Sequence, residues 1–398
     1  MTSKTIVTLP GDGIGRAVLD QALRVLDAAG FKANYIEGDI GWEFWRGEGN
    51  PLPQRTLDLI AEHKIALFGA ITSKPKDEAC EALAPELKSS DLVYSSPIVG
   101  LRQHFGLDIC LRPCRSYPGN PLNFIHRTAD GGVDEPEIDV AIFRQNTEGL
   151  YGGVEWSNPP ADVYNAFMTH PKFKHSFGKT PIHELAISTR IFTKKATERI
   201  LRAAFNHARK YGYKSVTVCE KPNVIRETSG MMYKMAQEIQ KADFTDIELW
   251  NTNIDAQMMW LTKNPENYGV IVAGNMFGDI VSDGFAGLVG GLGFAASAQY
   301  NPDTGIGVFE PTHGSAPRYA GYETSIVNPI AMIEAACMML DFIDKQKIAT
   351  RIRKAVSKII DEGQVRTYDM ARLSGHADVI HKGAASTDEM TAAIISKL

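Results

Sequence analysis

An α/β fold with more than one core is the class this sequence predicts, and three observations carry it. Short apolar runs that read as strands recur at residues 5–9, 66–69, 107–111, 140–143, 215–219, 248–251 and 269–273. Stretches of helical period lie between several of them, the clearest at 15–29 and 189–211. The length, 398 residues, exceeds what one core usually organises.

Taken in order, the strand at 5–9 runs into the loop P-G-D-G-I-G and then a helix whose apolar face is Val18, Leu19, Ala22, Val25 and Leu26. That loop is not a dinucleotide fingerprint. Its glycines are Gly11, Gly13 and Gly15, and the third required glycine falls on Arg16. A Rossmann assignment therefore fails, and the loop fits a tight strand-to-helix turn as well as a direct cofactor contact. Further on, Arg102 sits on a helix, Arg112 follows the strand at 107–111, and Arg144 follows the strand at 140–143. A single such arginine is ordinarily solvated, but guanidinium groups at three element boundaries can converge on carboxylates. Tyr151, close behind, fits an amphipathic packing residue or an acid. Residues 155–181 are rich in Pro, His, Asn and aromatics and lack helical periodicity.

After the strand at 215–219 comes Lys221, which alone reads as a surface charge; Asp255 reads as a cap for a helix at 256–261. The strand at 269–273 leads through Gly274, Asn275 and Gly278 into a helix expected to begin near Asp279. Asp279 and Asp283, four apart, then share a face. They fit a site for Mg²⁺ or Mn²⁺, but taken alone fit a cap and a solvated residue at least as well. Gly287, Gly290, Gly291 and Gly293 indicate a tight turn after that helix. The loop at 305–321 carries His313, Gly314, Ala316 and Tyr319, able to receive an adenine against its backbone. Helices are expected at 329–345, 349–362 and 387–398.

The twenty residues from Asn275 to Phe294, N-M-F-G-D-I-V-S-D-G-F-A-G-L-V-G-G-L-G-F, resemble the signature of the isocitrate and isopropylmalate dehydrogenases. F-R-Q-N-T-E-G-L-Y at 143–151 and H-G-S-A-P at 313–317 match the same family, and motif order and spacing hold from residue 5 to about 372. The departures are Arg16 and Ala17 for a usual Pro-Glu, Ile98 for a polar residue, Gln145 for Glu, Pro222 for Gly and Ala296 for Pro. The resemblance implies a three-layer sandwich in two domains. A large domain would take 1–107 and 290–398 on the cofactor side. A small domain, 108–148 and 194–289, would carry substrate, metal and dimer interface, and 149–193 would form an intersubunit clasp.

By the same resemblance Tyr151 is the catalytic proton donor and Lys221 takes the proton of a 2-hydroxyl, relayed through an aspartate. Ser96, Arg102, Arg112 and Arg144 bind substrate; Asp279, Asp283 and Asp255 of the partner subunit hold Mg²⁺ or Mn²⁺. Asn223, His313, Gly314, Ala316 and Asn328 face the cofactor, whose nicotinamide end lies near residues 70–74. NAD-type members carry an aspartate after H-G-[ST]-A-P. Here Arg318 follows, and with Tyr319, Tyr368 and Arg372 it implies NADP rather than NAD, although Tyr368 and Arg372 could simply pair along a helix. The implied activity is oxidative decarboxylation of isocitrate to 2-oxoglutarate and CO₂ by a homodimer with shared sites. Homoisocitrate or another 3-substituted malate is the alternative substrate. A non-catalytic regulatory subunit is the alternative from a different class; Tyr151, Lys221 and all three aspartates being present argues against it.

Composition bounds the rest. Forty-two Lys and Arg against 47 Asp and Glu give no basic excess for nucleic acid. No apolar run reaches the ~20 residues that span a bilayer, and residues 1–15 lack the pattern of a cleaved leader. Five scattered cysteines, without a C-x-x-C pair, read as reduced thiols. A cytoplasmic enzyme that binds neither membrane nor nucleic acid is expected.

Overall fold

The computed structural model describes residues 4–88 and 92–398, so the first three residues of the N-terminal stretch lie outside it. Its strands are β1 (Lys4–Gly11), β2 (Ala33–Glu37), β3 (Ile65–Ala70), β4 (Ile109–Arg115), β5 (His126–Arg127), β6 (Val133–Asp134), β7 (Asp139–Gln145), β8 (Glu155–Ser157), β9 (Ala186–Ser188), β10 (Ser215–Glu220), β11 (Glu248–Asn253), β12 (Val270–Ala273), β13 (Ala296–Asn301) and β14 (Ile306–Pro311). Ten of them make one sheet in the order β11-β10-β12-β7-β4-β13-β14-β3-β1-β2. Pairing is parallel toward both edges, but β4 runs antiparallel to β7 and β13, and β13 antiparallel to β14. This mixed centre is not the Rossmann arrangement.

Side chains alternate across each strand, so each strand feeds both faces. Ile6, Ile65, Leu67 and Phe309 pack one face against the helices Gly15–Ala28, Ile330–Phe342 and Gln346–Glu362. Val7, Leu9, Ala66, Phe68 and Val308 pack the other, with Leu57, Ile60 and Leu101. Across β4 the pattern repeats. Val216, Val218, Val270 and Phe143 meet the helices Lys194–Tyr211 and Thr228–Asp243; Cys219, Ile271, Val140 and Ile142 meet the helix Asn275–Leu288. Helix, sheet, helix is thus the layering, in agreement with the expected sandwich.

Several local expectations shift. Strands β4 and β7 run farther than the apolar residues alone indicate, so Arg112 and Arg144 lie within strands rather than after them. Paired in an antiparallel ladder that continues through polar positions, they gain backbone bonds that hydropathy does not report. The helix expected from 189 starts at Lys194, where the Thr193 hydroxyl accepts from Ala196 N at 3.3 Å. Residues 155–181 contain two short helices, Ala161–Met168 and Pro171–Phe177, packed through Tyr164, Phe167, Phe173 and Phe177 and followed by β9, which pairs with β8. Two turns of helix are too short to show a period.

On the helix Lys194–Tyr211, His207 stacks among Phe143, Tyr211 and Tyr213, and burial pushes its pKa down to about 4. An unfolded imidazole takes up a proton below about 6.5 while the folded one stays neutral, so stability is lost as pH falls from about 6.5 toward 4. His207→Phe should remove that loss. Its unfolding free energy relative to the parent should gain about 2–3 kcal/mol between pH 7.5 and 4.5 by urea titration, and parallel curves would refute the assignment.

Candidate active site

On the face packed by Leu57, Ile60 and Leu101 at one end and by the helix Asn275–Leu288 at the other, the antiparallel centre of the sheet presents polar side chains instead of apolar ones. Cys110 pairs with both Arg144 and Gln299, and Ser297 pairs with Glu310, so these residues and Arg112 share one side. Over them lies the helix Asn275–Leu288, four residues longer at its start than expected, with Gly274 as its N-cap. Gly278 is inside the helix rather than in a turn. A Cβ there would come within 2.8 Å of Arg144 Cβ and Cγ, so glycine lets the helix settle on β7. Asp279 and Asp283 do share a face, and Gly290 and Gly291, both with positive φ, form the turn beyond the helix.

Arg112 Nη1 donates to Asp279 Oδ1 at 3.0 Å, Ser282 Oγ at 2.8 Å and Asp283 Oδ1 at 3.1 Å. Arg144 Nη1 donates to Asp279, while its Nε and Nη2 donate to Asn275 Oδ1 at 3.0 and 2.8 Å. The Tyr151 hydroxyl donates to Asp279 Oδ2 at 3.1 Å, and the Arg144 guanidinium lies 5.4 Å from its ring centre. Burial lowers the Arg144 pKa to about 10, helped by Arg112 beside it, which leaves it cationic at neutral pH. Burial and then the Asp279 charge raise the pKa of Tyr151, which keeps its proton. Burial and Asp279 also raise that of Asp283, against Arg112.

Lys221 and Asp255 form a separate group. Lys221 follows β10 and its Nζ donates to Asp255, whose pKa is lowered by that bond. Asp255 is not a cap: the helix is Ile254–Leu261 and Asn253 precedes it. Asn223 is exposed in the turn after Lys221. Among the described residues no three His, Cys, Asp or Glu side chains converge as a metal site. Among the described residues no third carboxylate therefore joins the two aspartates of the helix.

A cleft of about 580 Å³ opens beside the arginines, lined by Ala70 to Lys74, Ile98, Arg102, Arg112 and residues 310–317. Ser96 stands at the N-cap of the helix Pro97–Phe105, its hydroxyl accepting from Ser73 Oγ at 3.3 Å. Arg102 Nε donates to Gln299 Oε1 at 2.6 Å, and its Nη2 reaches Glu310 at 3.5 Å. In the loop after β14, His313 Nδ1 lies 3.0 Å from Gly314 O, burial lowers its pKa, and its Nε2 is enclosed without a partner. Tyr319 packs against Tyr368, and Arg318 lies over Tyr319 and 3.0 Å from His376 Nδ1. Residues 368–372 form turns, not a helix. Arg372, at φ +54°, donates to Pro121 O at 2.6 Å instead of pairing with Tyr368. The Asn328 amide is engaged at both ends, by Asp369 at 3.1 Å and by Ile330 N at 3.0 Å.

The family model for isocitrate/isopropylmalate dehydrogenase matches residues 5–394. The chain belongs to that family. It is 39% identical over 374 residues to the protein DlpA of Legionella pneumophila, covering 94% of this chain but only 56% of that longer protein. It is 34% identical to an isocitrate/homoisocitrate dehydrogenase of Thermus thermophilus, over 99% of this chain and 98% of the other. The crystal structure of isocitrate dehydrogenase from Methylococcus capsulatus superposes with a TM-score of 0.78 at 33% identity, covering 99% of both chains. Relatives at 32–37% identity carry the names of isopropylmalate, homoisocitrate and isocitrate dehydrogenases. Members of the isocitrate/isopropylmalate dehydrogenase family typically use a divalent metal and NAD(P), act on small molecules and commonly form dimers.

Two observations test whether such groups fit this member. A Cβ built on Gly314 meets nothing nearer than Ile71 O at 3.9 Å, so packing does not demand glycine there; an approaching ligand would, and the unpartnered His313 Nε2 lies in the same loop. Asp279 and Asp283 offer hard oxygen donors of the kind Mg²⁺ and Mn²⁺ take. The glycine loop, by contrast, is explained by packing. Cβ atoms on Gly11 and Gly13 would lie 1.9 Å from Ala70 O and 2.0 Å from Ser315 O.

Sequence reasoning passed over the residues that hold this dehydrogenase's site together. Glu220, fully buried, accepts from Arg190 Nη2 with both oxygens at 3.0 and 2.8 Å, from Ser229 Oγ at 2.5 Å and from Gly274 N at 2.8 Å. It thereby ties the residue before Lys221 to the start of the aspartate-bearing helix. Asn275, which the sequence places only in a turn and a motif, and Gln299 and Glu310 likewise carried no expected role in the site. An acidic residue ending the apolar run S-V-T-V-C-E was the available signal.

Proposed function

We propose that the chain catalyses metal-dependent oxidative decarboxylation of isocitrate with NADP, as a homodimer whose sites are shared. The observation that carries the reading is the convergence of Arg112 and Arg144 on Asp279, with the Tyr151 hydroxyl on the same carboxylate. Arg102, Arg112 and Arg144 would bind the carboxylates of the acid. A divalent ion held by Asp279, Asp283 and Asp255 of the partner subunit would supply Lewis acidity toward the oxygen on C2. Lys221 would accept the 2-hydroxyl proton as C2 gives up hydride, and Tyr151 would return a proton to C3 once CO₂ has left. That no hydrogen bond or ion pair joins Lys221 and Asp255 to Tyr151 and Asp279 within one chain supports completion of each site by a second copy. The exposed Val224, Trp250, Met259, Trp260 and Ile280 around those elements support a dimer face.

The division into a large domain of 1–107 and 290–398 and a small domain of 108–148 and 194–289, with a clasp at 149–193, belongs to this reading. Among the described residues no helix is long and apolar enough to cross a membrane. The five unpaired cysteines, four of them buried, support a reducing compartment such as the cytoplasm.

Ile98 on the cleft wall favours a second substrate, homoisocitrate or another 3-substituted malate, whose extra methylene would meet an apolar surface. Comparing kcat/KM for isocitrate, homoisocitrate, isopropylmalate and tartrate separates the two. Isocitrate should rank first, and a preference for isopropylmalate would sink the proposal.

A further inference from the structure

Gln299 lies on β13 beneath the floor of the cleft, with no exposed surface. Its amide joins three other elements. Oε1 accepts from Arg102 Nε at 2.6 Å and from Asn146 Nδ2 at 2.9 Å, and Nε2 donates to Glu310 Oε1. Arg102 belongs to the helix Pro97–Phe105, Glu310 to β14, and Asn146 directly follows β7, two residues after Arg144. Asn146 is itself fixed, donating also to Leu107 O at 3.2 Å. Only one orientation of the Gln299 amide satisfies these partners. Reversed, its NH₂ would face two donors and its oxygen a carboxylate. Because the site is closed to water, an unmade bond here would stay unmade.

Arg102 and Glu310 line the cleft, whereas Gln299 does not. Any influence it has on a ligand must pass through them. We infer that Gln299 is a positioning residue for substrate: it holds the Nε edge of Arg102 at a set place relative to the strand carrying Arg144, so that the two guanidinium groups keep one separation. A substrate with more than one carboxylate binds well only where its cationic partners stand at a matching distance in advance, since reorganising them would consume binding energy. This inference rests on the reading of the cleft as the substrate site.

Gln299→Met keeps the reach of the side chain and removes its donors and acceptor. With the better of isocitrate and homoisocitrate, KM should rise about tenfold or more while kcat stays within about threefold, because the lost contact is made equally in ground and transition states. KM for NADP should change less than about twofold. Should that variant fail to fold, Gln299→Asn, which keeps an amide but not its reach, carries the same expectation. Gln299→Glu alone sets two carboxylates together and should also raise KM; adding Glu310→Gln reverses donor and acceptor across the same bond and should recover much of the loss. Equal KM values in all variants with only a lowered Tm would overturn the inference. An unchanged KM in Arg102→Met would remove the substrate reading itself, and this inference with it. A raised KM in Arg102→Met beside a normal one in Gln299→Met would remove the inference alone.

Discussion

Lys221→Met and Tyr151→Phe should each lower kcat by about 10²–10⁴-fold, the range a positioned proton donor or acceptor contributes. Mixed in equal amounts under conditions that let subunits exchange, the two inactive proteins should regain activity. If each site takes its tyrosine from one subunit and its lysine from the other, half of the dimers are hybrids and each hybrid has one intact site. About a quarter of the parental activity is then the ceiling. Within this chain Lys221 bonds to Asp255 and Tyr151 to Asp279, and no hydrogen bond or ion pair joins the two pairs, which agrees with the proposed split. A mixture that stays inactive although hybrids are demonstrated by mass spectrometry would exclude shared sites, as would full activity of a dilute monomer.

Arg318→Asp should lower kcat/KM for NADP by two orders of magnitude or more while leaving that for NAD within a few-fold. A hydrogen bond to a charged group is worth about 1.5–3 kcal/mol, and a 2′-phosphate facing an aspartate would lose such bonds and gain a repulsion. Arg318 is exposed beside Tyr319, whose ring packs on Tyr368, so three of the four residues expected to receive that phosphate lie together. Arg372 stands apart, bound to Pro121 O, and Arg372→Ala should cost correspondingly less. The check is kcat/KM with both cofactors for the parent and each variant. A parent that prefers NAD would end the argument before the variants are made.

The layering was readable because buried strands and amphipathic helices leave periods that hydropathy reports. Arg112, Arg144, Tyr151, Asp279 and Asp283 were readable too, as motif positions, and the structure brings these five together. The direction of β4 was not. L-D-I-C-L-R-P-C-R has the same composition whether its neighbours run with it or against it, and only the long-range ladder decides. Gln299 shows a different limit. In the strand A-S-A-Q-Y-N a glutamine reads as the solvent side of a half-buried strand, yet the sheet is covered on both faces, so the residue is sealed in and must be paired. Covering is a property of distant segments. The two short helices before β9 escaped for want of length, and Glu220 because its partners Arg190, Ser229 and Gly274 come from three separate places.

One consequence of the core that packs Val18, Leu19 and Ala22 against Met332, Ile333 and Ile394 concerns how the molecule is made. The helix Gly15–Ala28 leaves the ribosome early, but the helices Ile330–Phe342 and Thr387–Ile395 that cover its outer face are encoded more than 300 positions later. At about 5–20 residues per second, that apolar face waits roughly 20–70 s for its partners. During that interval it is open to non-native contacts, and the long-range pairing of β3 with β14 adds a slow search once synthesis ends. Nascent chains should accordingly bind a holdase near residues 15–28 until the segment through Ile394 has emerged, whereas the segment around β10 and β12, whose partners lie nearby in sequence, should resist proteolysis first.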